Sequence, residues 1–219
     1  MALGNEIGIA LPGPRVISEY ATLMSRSGRL FLAHARLLAA NSKYFQRLLD
    51  RASEKGEPLN FEMGEHATDG AVLVFVEWIQ HKDSVAHFDN LKEQELTSGS
   101  RFETMVECWL FGEHIEATEF RNFVMESIHY EEHLCSAQVP KVWDSVSAKS
   151  RLRPFLVSTY CRLLHYQFDV YEMKQVLEGI PPSMVLEVSM YLFKVAFWVK
   201  ESPLDRGFEF NVKEYLEWV

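Results

Sequence analysis

Cysteine is scarce in this chain: Cys108, Cys135 and Cys161 are the three in 219 residues, and no C-x-x-C spacing occurs. Three thiols cannot all pair, which excludes a disulfide scaffold, and the missing spacing excludes a zinc knuckle or a dithiol redox motif. Lying within apolar helical patterns, they read as reduced core thiols of an intracellular protein, cytoplasmic or nuclear. Positive charge is also short. Lys and Arg number 22 against 31 Asp and Glu, a net charge of -9 with a pI near 5.4. A broad phosphate-binding surface needs the opposite balance, so no nucleic-acid partner is expected. Long apolar runs are missing too: the most apolar stretch, 184–199, is short and carries Glu187 and Lys194, and no membrane partner is expected. Residues 1–14 have neither a basic n-region nor a long apolar h-region, so no secretory leader is expected. No Walker loop, G-x-G-x-x-G or G-x-S-x-G occurs, and no cofactor is expected.

What the chain does have is core material. Hydrophobic residues make up 47%, with 15 Phe and 5 Trp, while 11 Gly and 8 Pro are ordinary. That composition excludes disordered and collagen-like chains and suits one domain, or one with an extension. Tyr20, Thr22 and Met24 alternate with Ala21 and Leu23, the turn-forming SRSG follows, and Leu30 to Ala33 is a second apolar run, together a hairpin. A short helix around 36–40 and a second one capped by Ser42 come next, the second placing Phe45, Leu48 and Leu49 on one face. Leu59, Phe61 and Met63 alternate as a third strand. Thr68 opens a helix apolar on every side, which predicts central burial. The stretch 80–99 reads as a loop, with a short edge strand over 85–88.

From Arg101 the pattern is helical. Phe102, Met105, Val106, Trp109 and Leu110 form one stripe, and Phe120, Phe123, Val124 and Ile128 the next. Residues 102–135 hold eight Glu against Arg121 alone, a segment charge of -7, whereas 136–170 carries +3, so the two segments are expected to pack together. Further helices are expected over 139–146, 150–166 and 183–200, the last opened by Pro181 and Pro182. Asn211 and Glu214 have the spacing of a capping box for a short terminal helix.

The sharpest catalytic pattern is His129-Tyr130-Glu131-Glu132-His133, an H-x-x-E-H match in which His129 and His133 would bind zinc and Glu132 would act as base. Asn122, Glu126, His129 and His133 follow one another at helical spacing opposite the apolar stripe, and the residues favour a solvated helix face. No metal and no enzyme activity is therefore expected. His34 lacks a Ser, Cys or Asp neighbour for a relay and reads as a structural histidine, and His114 and His165 read as helix-face residues.

The run LFLAHARLLAANSKYF over 30–45 resembles the signature of BTB/POZ domains: a short strand, a His, two Leu, then Ser-x-Tyr-Phe opening a helix. VLVFVEWIQ over 72–80 is similar to that family's third core helix, and 102–128 to its closing helical pair. The later run SRLRPFLV over 150–157, the Pro181-Pro182 helix and Glu214-Tyr215-Leu216 resemble the helical extension of filamentous-fungal BTB proteins.

The resemblance implies an α+β fold, a small mixed sheet flanked by helices over 15–135, followed by an all-helical extension over 136–219. It implies a non-enzymatic module for self-association, as a homodimer, or for protein-partner binding. His34, Ser42 and Phe45 would be its structural signature, and Leu37, Leu38, Tyr44 and Phe45 would lie at or behind the partner face. A cullin-binding adaptor is the alternative, using His81, Asp83 and Val85 in the loop after the third helix. That loop carries Val85-Ala86-His87 in place of the hydrophobic-x-Glu motif typical of cullin-binding members.

Overall fold

The computed structural model describes residues 19–82, 100–131, 136–167 and 180–201, with the side chains of 136, 165–167 and 195–201 outside the description. The architecture is α+β, a three-stranded sheet with helices. Strand β1 (Tyr20–Met24) pairs antiparallel with β2 (Leu30–His34) in the register Tyr20 to His34 through Met24 to Leu30. The strands bury Ala21, Leu23, Phe31 and Ala33, so alternation sets which face meets the helices. At the turn Gly28 adopts φ +87°, a left-handed conformation that a side chain would strain. The Ser25 and Ser27 hydroxyls both donate to Asp69 Oδ1, at 2.5 and 2.7 Å.

Helix α1 (Ala35–Asn41) follows β2 directly, and α2 (Lys43–Lys55) starts after one residue, Ser42, whose Oγ accepts from Phe45 N at 3.1 Å. Gly56 ends α2 in the left-handed region, φ +69°, and its N–H returns to Ala52 and Ser53 carbonyls. Strand β3 (Asn60–Glu62) then joins the sheet parallel to β1, giving the order β2-β1-β3. Helix α3 (Asp69–Gln80), capped by Thr68, is central as its composition predicts: Val72, Val74, Phe75, Val76, Trp78 and Ile79 are all buried. Around Phe75 the rings of Phe45, Phe111 and Phe120 lie 6.1, 5.7 and 5.1 Å away, so one side chain joins α2 to the two helices that follow.

Helices α4 (Arg101–His114, capped by Ser100) and α5 (Thr118–His129) form a tight hairpin. Its turn closes through Ala117 N to Gly112 O at 2.9 Å, with Glu116 at φ +53°. The expected stripes are buried, apart from Leu110 and Phe123, which are partly so.

In the stretch read as a helix over 139–146 only α6 (Val139–Val142) is α-helical, flanked by 3-10 turns at Ser136–Gln138 and Trp143–Ser145. Val139, Val142, Trp143 and Val146, at i, i+3, i+4 and i+7, would share one face of a regular helix, and the mixed turns bury all four as well. Helices α7 (Leu152–Gln167) and α8 (Pro182–Glu201) pack on each other. The expected edge strand at 85–88 and the terminal helix at 211–214 lie outside the described residues.

The extension shares the core of what precedes it. A single buried cluster runs from Ala21 to Val188, and Trp109 Nε1 of α4 donates to Ser150 Oγ at 3.2 Å. The two oppositely charged segments do meet, but through Trp109–Ser150 and through Arg162 Nη2 donating to the His129 carbonyl at 3.5 Å. Carboxylates of the acidic run reach Arg47, Lys82 and Arg101, while Arg153 reaches Glu187. Among the described residues, no helix is long and apolar enough to cross a membrane.

Candidate functional site

The α1–α2 pair is held against the rest of the fold at two points of the α4–α5 turn. Ser42 Oγ, besides capping α2, donates to the buried Ile115 carbonyl, and Arg47 makes a two-pronged bond to Glu116, one prong at 3.0 Å. The second contact holds the Glu116 carboxyl below its ordinary range, the hydrogen bond from Arg47 outweighing partial burial. On this scaffold Leu38 and Phe45 are entirely buried, so they stand behind any partner face and cannot touch a partner. Leu37 and Tyr44 are half-buried and reach the surface. The Tyr44 ring lies 5.6 Å from Phe45 edge-on and 5.3 Å from His114. That leaves the phenol partly covered, the state suited to an aromatic that joins core to surface.

His34 occupies the junction of β2 and α1 as the residue before the first helical turn, and its ring packs 5.3 Å from Tyr20, its cross-strand neighbour. His81 is exposed at the end of α3, where its N–H returns to the Glu77 and Trp78 carbonyls. Asp83 and Val85 lie outside the described residues, as do Glu132 and His133. His129 is half-buried beside Tyr130 at 4.8 Å, and burial, reinforced by Arg162, lowers its pKa. Among the described residues no three His, Cys, Asp or Glu side chains converge in a way that could hold a metal ion. Cys108 and Cys161 are free and buried; burial pushes the first thiol far up and the second up to about 12, so neither is a ready nucleophile.

The fold also assembles features that the residue pattern did not single out. A cavity of about 210 Å³ lies between α4 and the turn after α6, lined by His66, Leu110, Glu113, His114, Ser145 and Ser147. His66 and His114 are both exposed, their rings 5.9 Å apart, and burial of part of the ring followed by the neighbouring His66 lowers the His114 pKa. His66, Ser145 and Ser147 sit on turns with no periodicity to reveal them. On the sheet, Tyr20, Leu30 and Leu32 are exposed on the face away from the helices, and on α8 Leu186, Met190 and Phe193 are exposed as well. The alternation of β2 and the helical spacing of α8 carry this information, once it is known which face is covered.

No family model matches the chain, and no curated protein matches it.

Proposed function

We propose that the chain is a non-enzymatic protein–protein interaction module of the BTB/POZ kind, with a helical extension, working inside the cell. It self-associates or takes a protein partner through the outer side of α1–α2. The observation that carries this reading is the place of the 30–45 run in the fold. The run comprises a short strand, His34 at the strand-to-helix junction, the two leucines of α1, and Ser42 opening α2 ahead of Tyr44 and Phe45. Leu37 and Tyr44 offer the contact surface, and Leu38 and Phe45 support it from within. Tyr44 combines apolar area with a polar tip, which suits the centre of an interface.

The test is Leu37→Glu and Tyr44→Glu in the full chain, followed by size-exclusion with light scattering and co-purification. The expected outcome is a smaller assembled mass, or release of the bound partner, with unchanged far-UV circular dichroism. Unaltered mass together with an unaltered partner set would sink the assignment of this face.

A further inference from the structure

Helices α3 and α8 are both apolar around most of their circumference, yet among the described residues α3 is covered on nearly all sides and α8 on one. One face of α8 packs on α7: Met184 and Val188 are buried, and the Tyr191 hydroxyl shares a hydrogen bond with Ser158 at 2.8 Å. The opposite face carries Leu186, Met190 and Phe193 at i, i+4 and i+7, with relative exposures of 62, 65 and 78%. A helix apolar on both faces belongs in an interior, and a contiguous exposed apolar stripe marks a surface of association.

We propose that this stripe is where two copies of the chain meet, α8 against α8, antiparallel about a twofold axis beside Met190. The arrangement of the flanks argues for this occupant and this direction. Glu187 and Lys194 lie one heptad apart on one flank of the stripe, while Val185, Ser189 and Leu192 lie on the other. In an antiparallel twofold pair, like flanks meet. An axis midway between Glu187 and Lys194 brings each Glu187 level with Lys194 of the second copy. The same axis sets the flank of Val185 and Leu192 against itself, and seats Phe193 between Leu186 and Met190 of the second copy.

Parallel pairing would instead put the two charges beside Val185, Ser189 and Leu192. Glu187 already accepts from Arg153 at 3.0 Å, which holds its carboxylate at the flank. Ion pairs at such an exposed rim add little affinity and mainly select orientation. The stripe rests on three exposed side chains and their flanks, fewer than the roughly 20–30 residues a side of a standard interface, so a reversible pairing is expected, with dissociation on the order of micromolar. It does not rest on the reading of α1–α2, which lies on a different surface.

The experiment uses the full chain. Light scattering across a concentration series reads the mass of the wild type, Phe193→Glu and Lys194→Glu, with circular dichroism as the folding control. Met190→Cys is treated with a short bismaleimide beside the wild type and an exposed α5 control, Glu126→Cys. Expected are reversible self-association, its loss in Phe193→Glu, several-fold weakening in Lys194→Glu, and a covalent dimer formed by Met190→Cys alone. Leu37→Glu combined with Met190→Cys should still cross-link, which separates failure of this proposal from failure of the α1–α2 reading. A wild type monomeric at about 100 micromolar overturns it. In that case a Met190→Cys thiol shielded from maleimide indicates cover by the chain's own residues, and a reactive thiol leaves the face to a different partner. Self-association undiminished in Phe193→Glu, or undiminished in Lys194→Glu, also overturns it.

Discussion

At the scale of single residues, Ser42 ties its helix pair to the α4–α5 turn. Its hydroxyl accepts from Phe45 N and donates to the Ile115 carbonyl, both inside the protein. Ser42→Ala removes the cap of α2 and leaves that carbonyl without its partner, so a loss of about 2–3 kcal/mol is expected from urea unfolding. His114 and His129 set a pH dependence. Both have folded-state pKa values below 6.5, chiefly from burial, so the unfolded chain takes up protons more readily than the folded one. Their contribution is complete above pH 6.5 and is lost as the pH falls through the depressed values. Stability measured between pH 7.5 and 5.5 should fall, and His114→Gln with His129→Gln should flatten that slope. Ser42 as a cap was legible because its role is local, set by a side chain and the N–H three residues on. Its second bond, to a carbonyl 73 positions away, has no signature in sequence.

At the scale of elements, periodicity located the hairpin, β3 and helices α1 to α5, because each buries one face or, for α3, every face. It overextended α6, where Val139, Val142, Trp143 and Val146 reach the core through mixed turns instead of one helix. The partner-face residues divide in the same way. Their apolar character was legible, but whether Leu38 points inward and Leu37 outward depends on what α1 packs against. Two elements approach closely at Gly112, where an added Cβ would meet Arg121 Cγ at 2.9 Å and Phe120 Cδ1 at 3.1 Å. Gly112→Ala improves helix propensity by up to about 1 kcal/mol, and the clash with the α5 ring costs more. A net destabilisation of roughly 1–2 kcal/mol is expected by thermal or urea unfolding. A gain in stability would show that α5 can shift.

At the scale of the whole molecule, Arg153 fastens the extension. Nearly buried, it donates to the Val146 carbonyl at 2.6 Å and to Glu187 at 3.0 Å, and its guanidinium lies 3.9 Å from the Trp143 ring centroid. One side chain thus joins α7, α8 and the turns after α6. Arg153→Ala should cost about 2–4 kcal/mol and make 136–201 the first region cut in limited proteolysis; simultaneous cleavage throughout would show that the extension does not open separately. The continuous core from Ala21 to Val188 was not legible, since Trp109 and Ser150 meet only after α4 and α7 are in place.

The clasp of Ser25 and Ser27 on Asp69 bears on the order in which the chain comes together. The first hairpin turn is secured by a carboxylate 44 residues downstream from Ser25, whereas the α4–α5 turn closes on its immediate neighbours. Long loops cost more entropy to close than short ones, so the aromatic hairpin at the middle of the chain should acquire protected amides during refolding before the strands nearer the amino end. Pulsed hydrogen exchange would report that sequence of events, and earlier protection of Tyr20–Met24 would reverse it.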